Sequence, residues 1–165
     1  MIKFEKISEE QFINDVLELY PHTSVEDIKE AYKNLKLPER GTKRSAGYDI
    51  FSPFDFIITE QTGPVVIPTG IKALMPDDMF LMIVPRSGHG FKTGSMLSNT
   101  LGIIDADFWE GDTEGHIKLK FKPGFKAFNI EAGNKIAQGI FMEYFITDDD
   151  EATGARTGGL GSTGN

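Results

Sequence analysis

Apolar positions in the first fifth of the chain recur at helical spacing, whereas beyond about residue 46 they alternate or cluster as in strands. Phe12, Val16 and Leu19 or Tyr20 fall on one helix face before Pro21, and Ser8-Glu9-Glu10-Gln11 ahead of them fits a capping box. Ser24 is a second N-cap signal, with Val25, Ile28, Tyr32 and Leu35 on one face before Pro38. Residues 8 to 35 are therefore predicted to form a helical hairpin packed on the domain surface. After it, Val65-Val66-Ile67 leads into Pro68-Thr69-Gly70, Ile71 to Leu74 precedes Pro76-Asp77-Asp78, and the apolar run Met79 to Val84 halts at Pro85. Ile117, Leu119 and Phe121 alternate with Lys118, Lys120 and Lys122, as a strand with one face in water requires, and Ile136 to Phe145 supplies a last apolar strand. The pattern predicts an all-β domain with a helical pair near its N-terminus.

Composition narrows the chemistry. A length of 165 residues suits a single domain, and 18 Gly with 8 Pro suit many sharp turns. The net charge of −8 argues against a broad surface for nucleic acid, so an anionic ligand needs a local pocket. With no cysteine, disulfides, thiolate zinc sites and cysteine nucleophiles are excluded together. Neither a signal-peptide h-region nor a membrane-spanning run is present, so the chain reads as a soluble, cytoplasmic protein with no membrane partner. His22, His89 and His116 are too dispersed for zinc and read as surface or loop residues, and Asp148 to Glu151 lacks calcium-ligand spacing.

Three segments carry chemistry. The stretch from Pro85 to Gly94 follows an apolar run and combines Arg86 and Lys92 with Ser87 and glycines, a composition suited to cradling phosphate. Phe91 stands where a Walker A loop needs glycine before its Lys and Ser/Thr pair, which rejects that motif; alone, the stretch is equally an ordinary Gly-rich turn. Asp105 and Asp107 end another apolar run at a spacing that shares one face of a strand, so one carboxylate can take a proton from water while the other orients neighbours. Alone, that segment is a polar turn. From Arg156 to Gly164 one cation, hydroxyls and glycines make an arm able to wrap a polyphosphate, or simply a terminus without fixed shape.

Taken in order with Ala46-Gly47-Tyr48-Asp49-Ile50-Phe51-Ser52 and Gly133-Asn134-Lys135-Ile136-Ala137-Gln138-Gly139-Ile140, these segments resemble the five motifs of the trimeric deoxyuridine triphosphatases, over roughly residues 36 to 164. The lengthened segment from Phe108 to Ile117 is similar to a variant found in Gram-positive bacteria and their phages. The resemblance implies a jelly-roll-like β-barrel with a flexible arm at about 152–165, to which the helical pair at about 8–35 is an insertion, a departure from the short N-terminus of many relatives. It also implies a homotrimer with sites shared among subunits, and hydrolysis of dUTP to dUMP and pyrophosphate. The resemblance further implies the roles of single residues: Asp105 is expected to activate the attacking water, and Asp49 to help hold a hydrated Mg²⁺ that is bound mainly by phosphates. Arg86, Ser87, Gly88 and Gln138 contact phosphates, Asn99 reads the uracil edge, Ile104 lines the nucleoside and the Phe108 ring packs on the deoxyribose in place of a family Tyr. Arg156, Gly161, Ser162 and Thr163 form the arm's phosphate clamp. Leu160 stands where the family usually has a Phe stacking over the base; it covers uracil without stacking, unless Phe91 or Trp109 has taken over that role. Two other functions share this pattern: a dCTP deaminase of the same fold, and a non-catalytic dUTP sensor. A protein partner at the N-terminal helices is a further expectation.

Overall fold

The structure, a computed structural model, describes residues 1–156 and 158. The two predicted helices form where their caps place them. Helix α1, Glu9–Leu19, starts where the Ser8 hydroxyl accepts from the Gln11 amide at 3.1 Å, and α2, Val25–Asn34, starts where Ser24 does the same for Asp27 at 3.1 Å. Phe12, Val16 and Ile28 face inward and, with Ile7, form a small core of their own, flanked by Tyr32, Leu35 and Phe54. Phe12 stacks on Phe54 with centroids 6.0 Å apart. Burial of the Phe12 side chain alone contributes about 2–3 kcal/mol toward docking the pair. Leu35 caps α2 and lies against Gly70, whose φ of +72° and crowded surroundings suit glycine.

The rest is built on short strands joined by turns, and every strand pairing among the described residues is antiparallel. The strands are β1 Lys3–Lys6, β2 Glu39–Arg40, β3 Tyr48–Phe51, β4 Phe56–Ile58, β5 Val65–Pro68, β6 Ile71–Leu74, β7 Met79–Pro85, β8 Met96–Leu97, β9 Gly102–Asp105, β10 Lys118–Lys122, β11 Phe128–Ile130 and β12 Lys135–Glu143. A five-stranded sheet in the order β2-β3-β12-β7-β9 holds three of the motif segments. A second sheet, β5-β10-β8, and the pairs β1-β6 and β4-β11 complete the strand pairing. The main core joins residues from all of them, among them Ile50, Ile58, Ile67, Ile71, Leu81, Ile83, Phe121, Ile130 and Ile136. On β10, Leu119 and Phe121 are buried and Lys120 and Lys122 exposed, as the alternation predicts.

Two local expectations change. The Gly-rich stretch after β7 is no open turn but a short helix, α3 Ser87–Thr93, ended by Gly94 in the left-handed conformation at φ +71°. A Cβ on Gly94 would stand 2.6 Å from the Phe125 ring, so tertiary packing also requires glycine there. Strand β12 stops at Glu143, short of Phe145, whose side chain is 95% exposed. No helix among the described residues is long and apolar enough to cross a membrane.

Candidate active site

One group of motif residues gathers at the end of β7 where it meets α3. Gln138 on β12 pairs directly opposite Asp49 on β3 and opposite Val84 on β7, so the three strands bring the first, second and fourth motifs together. The Asp49 carboxylate is largely buried and is met by two cations, the Lys135 ammonium at 2.8 Å and the Arg86 Nε at 3.4 Å. A register shift between Lys135 and Ala137 re-aims Lys135 toward Asp49. Gly47 lies under the Gln138 amide, which a Cβ would meet at 2.4 Å. Ser87 and Gly88 open α3 on the solvent side; the space beside the Gly88 Cα is empty, leaving room for a close ligand approach to the backbone. The N-cap, Arg86, has only donors to offer and forms no side-chain cap bond, so the first amides of α3 are left without a side-chain acceptor.

A second group gathers where β9 ends. Asp105 pairs opposite Phe80, near the start of β7, while Arg86 follows the end of that strand. Six residues of extended chain separate those levels by roughly 20 Å. Asp105 and Asp107 do not share a strand face: β9 stops at Asp105, and Asp107 caps a 3-10 turn, Phe108–Glu110. They converge instead on one cation. The Arg156 guanidinium donates from Nη2 to Asp105 Oδ2 at 2.5 Å and from Nε to Asp107 Oδ1 at 2.8 Å, with its Cζ 5.4 Å from the Phe108 ring centroid. The Arg156 side chain is 8% exposed, whereas the two carboxylates it meets are about half exposed, so these charge-assisted bonds sit at the rim of the site, open to solvent on the acidic side. Ile104 turns into the core, leaving its backbone as the part able to face a ligand, and Phe108 is likewise buried.

Asn99 enters the turn that feeds β9. Leu101 N–H donates to the Asn99 carbonyl at 2.8 Å across Thr100, whose φ is +70°, a strained conformation for a β-branched residue. The turn thus fixes the direction of the Asn99 backbone. Phe91 and Trp109, the aromatics considered as substitutes at the base, are both solvent-facing, on α3 and on the 3-10 turn respectively. Leu160, Gly161, Ser162 and Thr163 lie outside the described residues.

Among the described residues no cluster of three or more His, Asp or Glu side chains is placed to hold a metal. Asp49 is the carboxylate that faces Arg86 and Lys135, and each of its oxygens has acceptor capacity beyond the cation it already meets. This donor set fits an ion that arrives on a polyphosphate with its waters and does not fit one caged by protein alone.

Reading the sequence missed two features. Lys135 lies within a motif segment yet has no role legible from its sequence position, because only the bulge sends it to Asp49. The expectation of surface or loop histidines holds for the exposed His22; His89 departs from it, partly buried on α3, and His116 does lie in the loop before β10 but is 1% exposed. Its Nδ1 lies 2.5 Å from Asp15 Oδ2, and its Nε2 accepts from the Gly70 N–H at 2.8 Å. Burial pushes this imidazole down, against the pull of Asp15, and so keeps it neutral.

A family model described as dUTPase matches residues 33–164, which is most of the chain. The chain belongs to the dUTPase family. It is 37% identical over 145 residues to the deoxyuridine 5'-triphosphate nucleotidohydrolase of Lactococcus lactis, covering 84% of this chain and 95% of that one. It also resembles the crystal structure of the dUTPase from Streptococcus mutans, with a TM-score of 0.66 and 32% identity, over 88% of this chain and 98% of that one. The dUTPase of Staphylococcus bacteriophage 80alpha shares the fold at a TM-score of 0.63 and 21% identity, over 100% of this chain and 99% of that one. The family match begins at the end of α2, so α1 lies outside the family model.

Proposed function

We propose that this family member hydrolyses dUTP to dUMP and pyrophosphate, and that it does so as a homotrimer whose sites combine opposite ends of β7 from neighbouring subunits. The barrel is read as jelly-roll-like, formed by one domain in which the helical pair is an insertion and the residues after about 152 an arm. The observation that carries this reading is the separation, by roughly 20 Å along one strand, of the phosphate-side group from the Asp105 group. A nucleotide whose α-phosphorus must meet both cannot span that distance within one chain, whereas a closed ring of subunits can bring one end against the other.

In this reading the Asn99 turn presents fixed backbone groups to uracil, and a wrong exocyclic group leaves them unpaired. Phe108 closes against C2′ and leaves no room for a ribose hydroxyl. Asp105 takes the proton of the attacking water, and Arg86, with the amides of Ser87 and Gly88 and the Gln138 amide, holds the phosphates. Arg156 leaves its carboxylates for the phosphate chain, which frees Asp105 to act. Magnesium, when bound, neutralises the phosphate oxygens, and Asp49 would hold it through water.

The test is pyrophosphate release from dUTP, UTP, dCTP and dTTP. dUTP is expected to be strongly preferred, and Asp105→Asn is expected to lower kcat by about 10²–10⁴-fold. Ammonia release from dCTP, or full activity of Asp105→Asn, overturns the assignment. Mixing inactive Asp105→Asn with inactive Arg86→Ala protomers tests the shared site, because random exchange rebuilds about a quarter of the sites with both groups intact. No recovery on mixing refutes it.

A further inference from the structure

The turn that carries Phe108 does not hold itself. Behind it the chain returns through residues 111–117, and Gly115, at φ +74°, presses so closely on Trp109 that a Cβ would stand 2.5 Å from the Trp109 Cα. Glu114 precedes it at φ +54°, one of two non-glycine residues with positive φ among the described residues. An L-residue rests there only when its surroundings over-determine it. What determines Glu114 is α1. Its carboxylate accepts from the Ser8 backbone N–H at 2.9 Å and from the Ser8 hydroxyl at 2.6 Å, while that same hydroxyl accepts from Gln11 to cap the helix. Two residues on, His116 binds Asp15, two turns further along α1, and Lys118 donates to the other Asp15 oxygen at 2.8 Å. The return segment is thus fastened at two points to one face of the helix, and the family match begins only after that helix.

We propose that α1 is a brace for the sugar-facing turn, in which Ser8 and Glu114 are positioning residues that set discrimination between deoxyribo- and ribonucleoside triphosphates through Gly115, Trp109 and Phe108. The inference rests on the proposed reading that Phe108 packs against the sugar. It gives the helical pair a task inside its own subunit, independent of any partner protein.

The decisive variant is Glu114→Gly, because glycine suits the left-handed backbone and the fold is kept while the brace is removed. Expected results are an unchanged or raised Tm, a KM for dUTP raised about three- to tenfold with kcat within about twofold, and a similar loss in the dUTP-over-UTP preference. Trp109 is the only tryptophan in the chain, so its emission reports the turn directly and is expected to shift in the ligand-free variant. Ser8→Thr keeps both donors and is expected to match the wild type; Ser8→Ala keeps only the backbone donor and is expected to fall between. Phe108→Leu, which still fills the core, is the control for the underlying reading. If it loses sugar discrimination while Glu114→Gly and Ser8→Ala behave as wild type, the brace is refuted and the sugar contact stands. If Phe108→Leu discriminates as well as the wild type, the sugar contact itself is refuted and the brace falls with it.

Discussion

Replacing Asp15 by Asn tests how firmly the helical pair is fastened. Asp15 is 3% exposed, and its carboxylate meets His116 Nδ1 at 2.5 Å and the Lys118 ammonium at 2.8 Å. Burial pushes this carboxyl up, but hydrogen bonds from His116, Lys118 and Gln11 together outweigh it and hold it at about 2, below the ordinary 3.8. At about 1.4 kcal/mol per pH unit, the ionised carboxylate contributes about 2 kcal/mol at neutral pH. Because the folded value is the lower one, that contribution is present above pH 3.8 and is lost as pH falls toward 2. His116 acts in the same direction at higher pH: kept neutral when folded, it binds protons more readily unfolded, so stability declines as pH falls below 6.5. Asn preserves the acceptor for the imidazole but removes the counter-charge of a mostly buried ammonium. The expected cost is therefore about 2–3 kcal/mol, below the full penalty of breaking a buried pair. Urea unfolding between about pH 2 and 8, at fixed protein concentration, measures it. The variant should lose the acid-side fall owed to Asp15 and retain that owed to His116, enlarged because no carboxylate now opposes burial. A loss under about 0.5 kcal/mol, with a pH profile parallel to the wild type, would refute the reasoning.

Two further substitutions probe the site. Thr100→Gly relieves a positive φ at a β-branched residue; after the extra freedom glycine gives the unfolded chain, a net gain of about 1 kcal/mol is expected by calorimetry, together with weaker preference for uracil over cytosine and thymine. A lower Tm would show the turn unstrained. Arg156→Lys keeps the charge but cannot span two carboxylates and lie over Phe108 at once, so kcat/KM for dUTP should fall about tenfold or more, worth about 1.4 kcal/mol. Wild-type kinetics in that variant would remove Arg156 from the site.

What could be read from the sequence was what is decided locally. The Ser8 and Ser24 caps, the inward face of Phe12 and Val16, and the alternation from Lys118 to Lys122 each depend on neighbours a few residues away, and each formed as expected. The motif order was legible because the family match spans it. Features decided at a distance were not. Helix α3 is closed by a glycine packed under Phe125, about thirty residues on, so its own composition suggested an open turn. Asp105 and Asp107 have strand spacing but meet through Arg156, about fifty residues away, after the strand has ended. His116 finds Asp15 at a separation of 101 residues, which no periodicity reveals.

Both arginines assigned to the phosphates already face carboxylates of their own chain: Arg86 faces Asp49, and Arg156 bridges Asp105 and Asp107. On the proposed reading of these two residues, nucleotide capture is an ion exchange, in which an incoming anion must displace an internal one. Such a swap leaves the tally of ion pairs nearly constant, so affinity should depend only weakly on ionic strength. It also sets a threshold: a lone inorganic phosphate cannot compensate for both displaced carboxylates, whereas a triphosphate seated between neighbouring subunits can engage an Arg86 and an Arg156 at once.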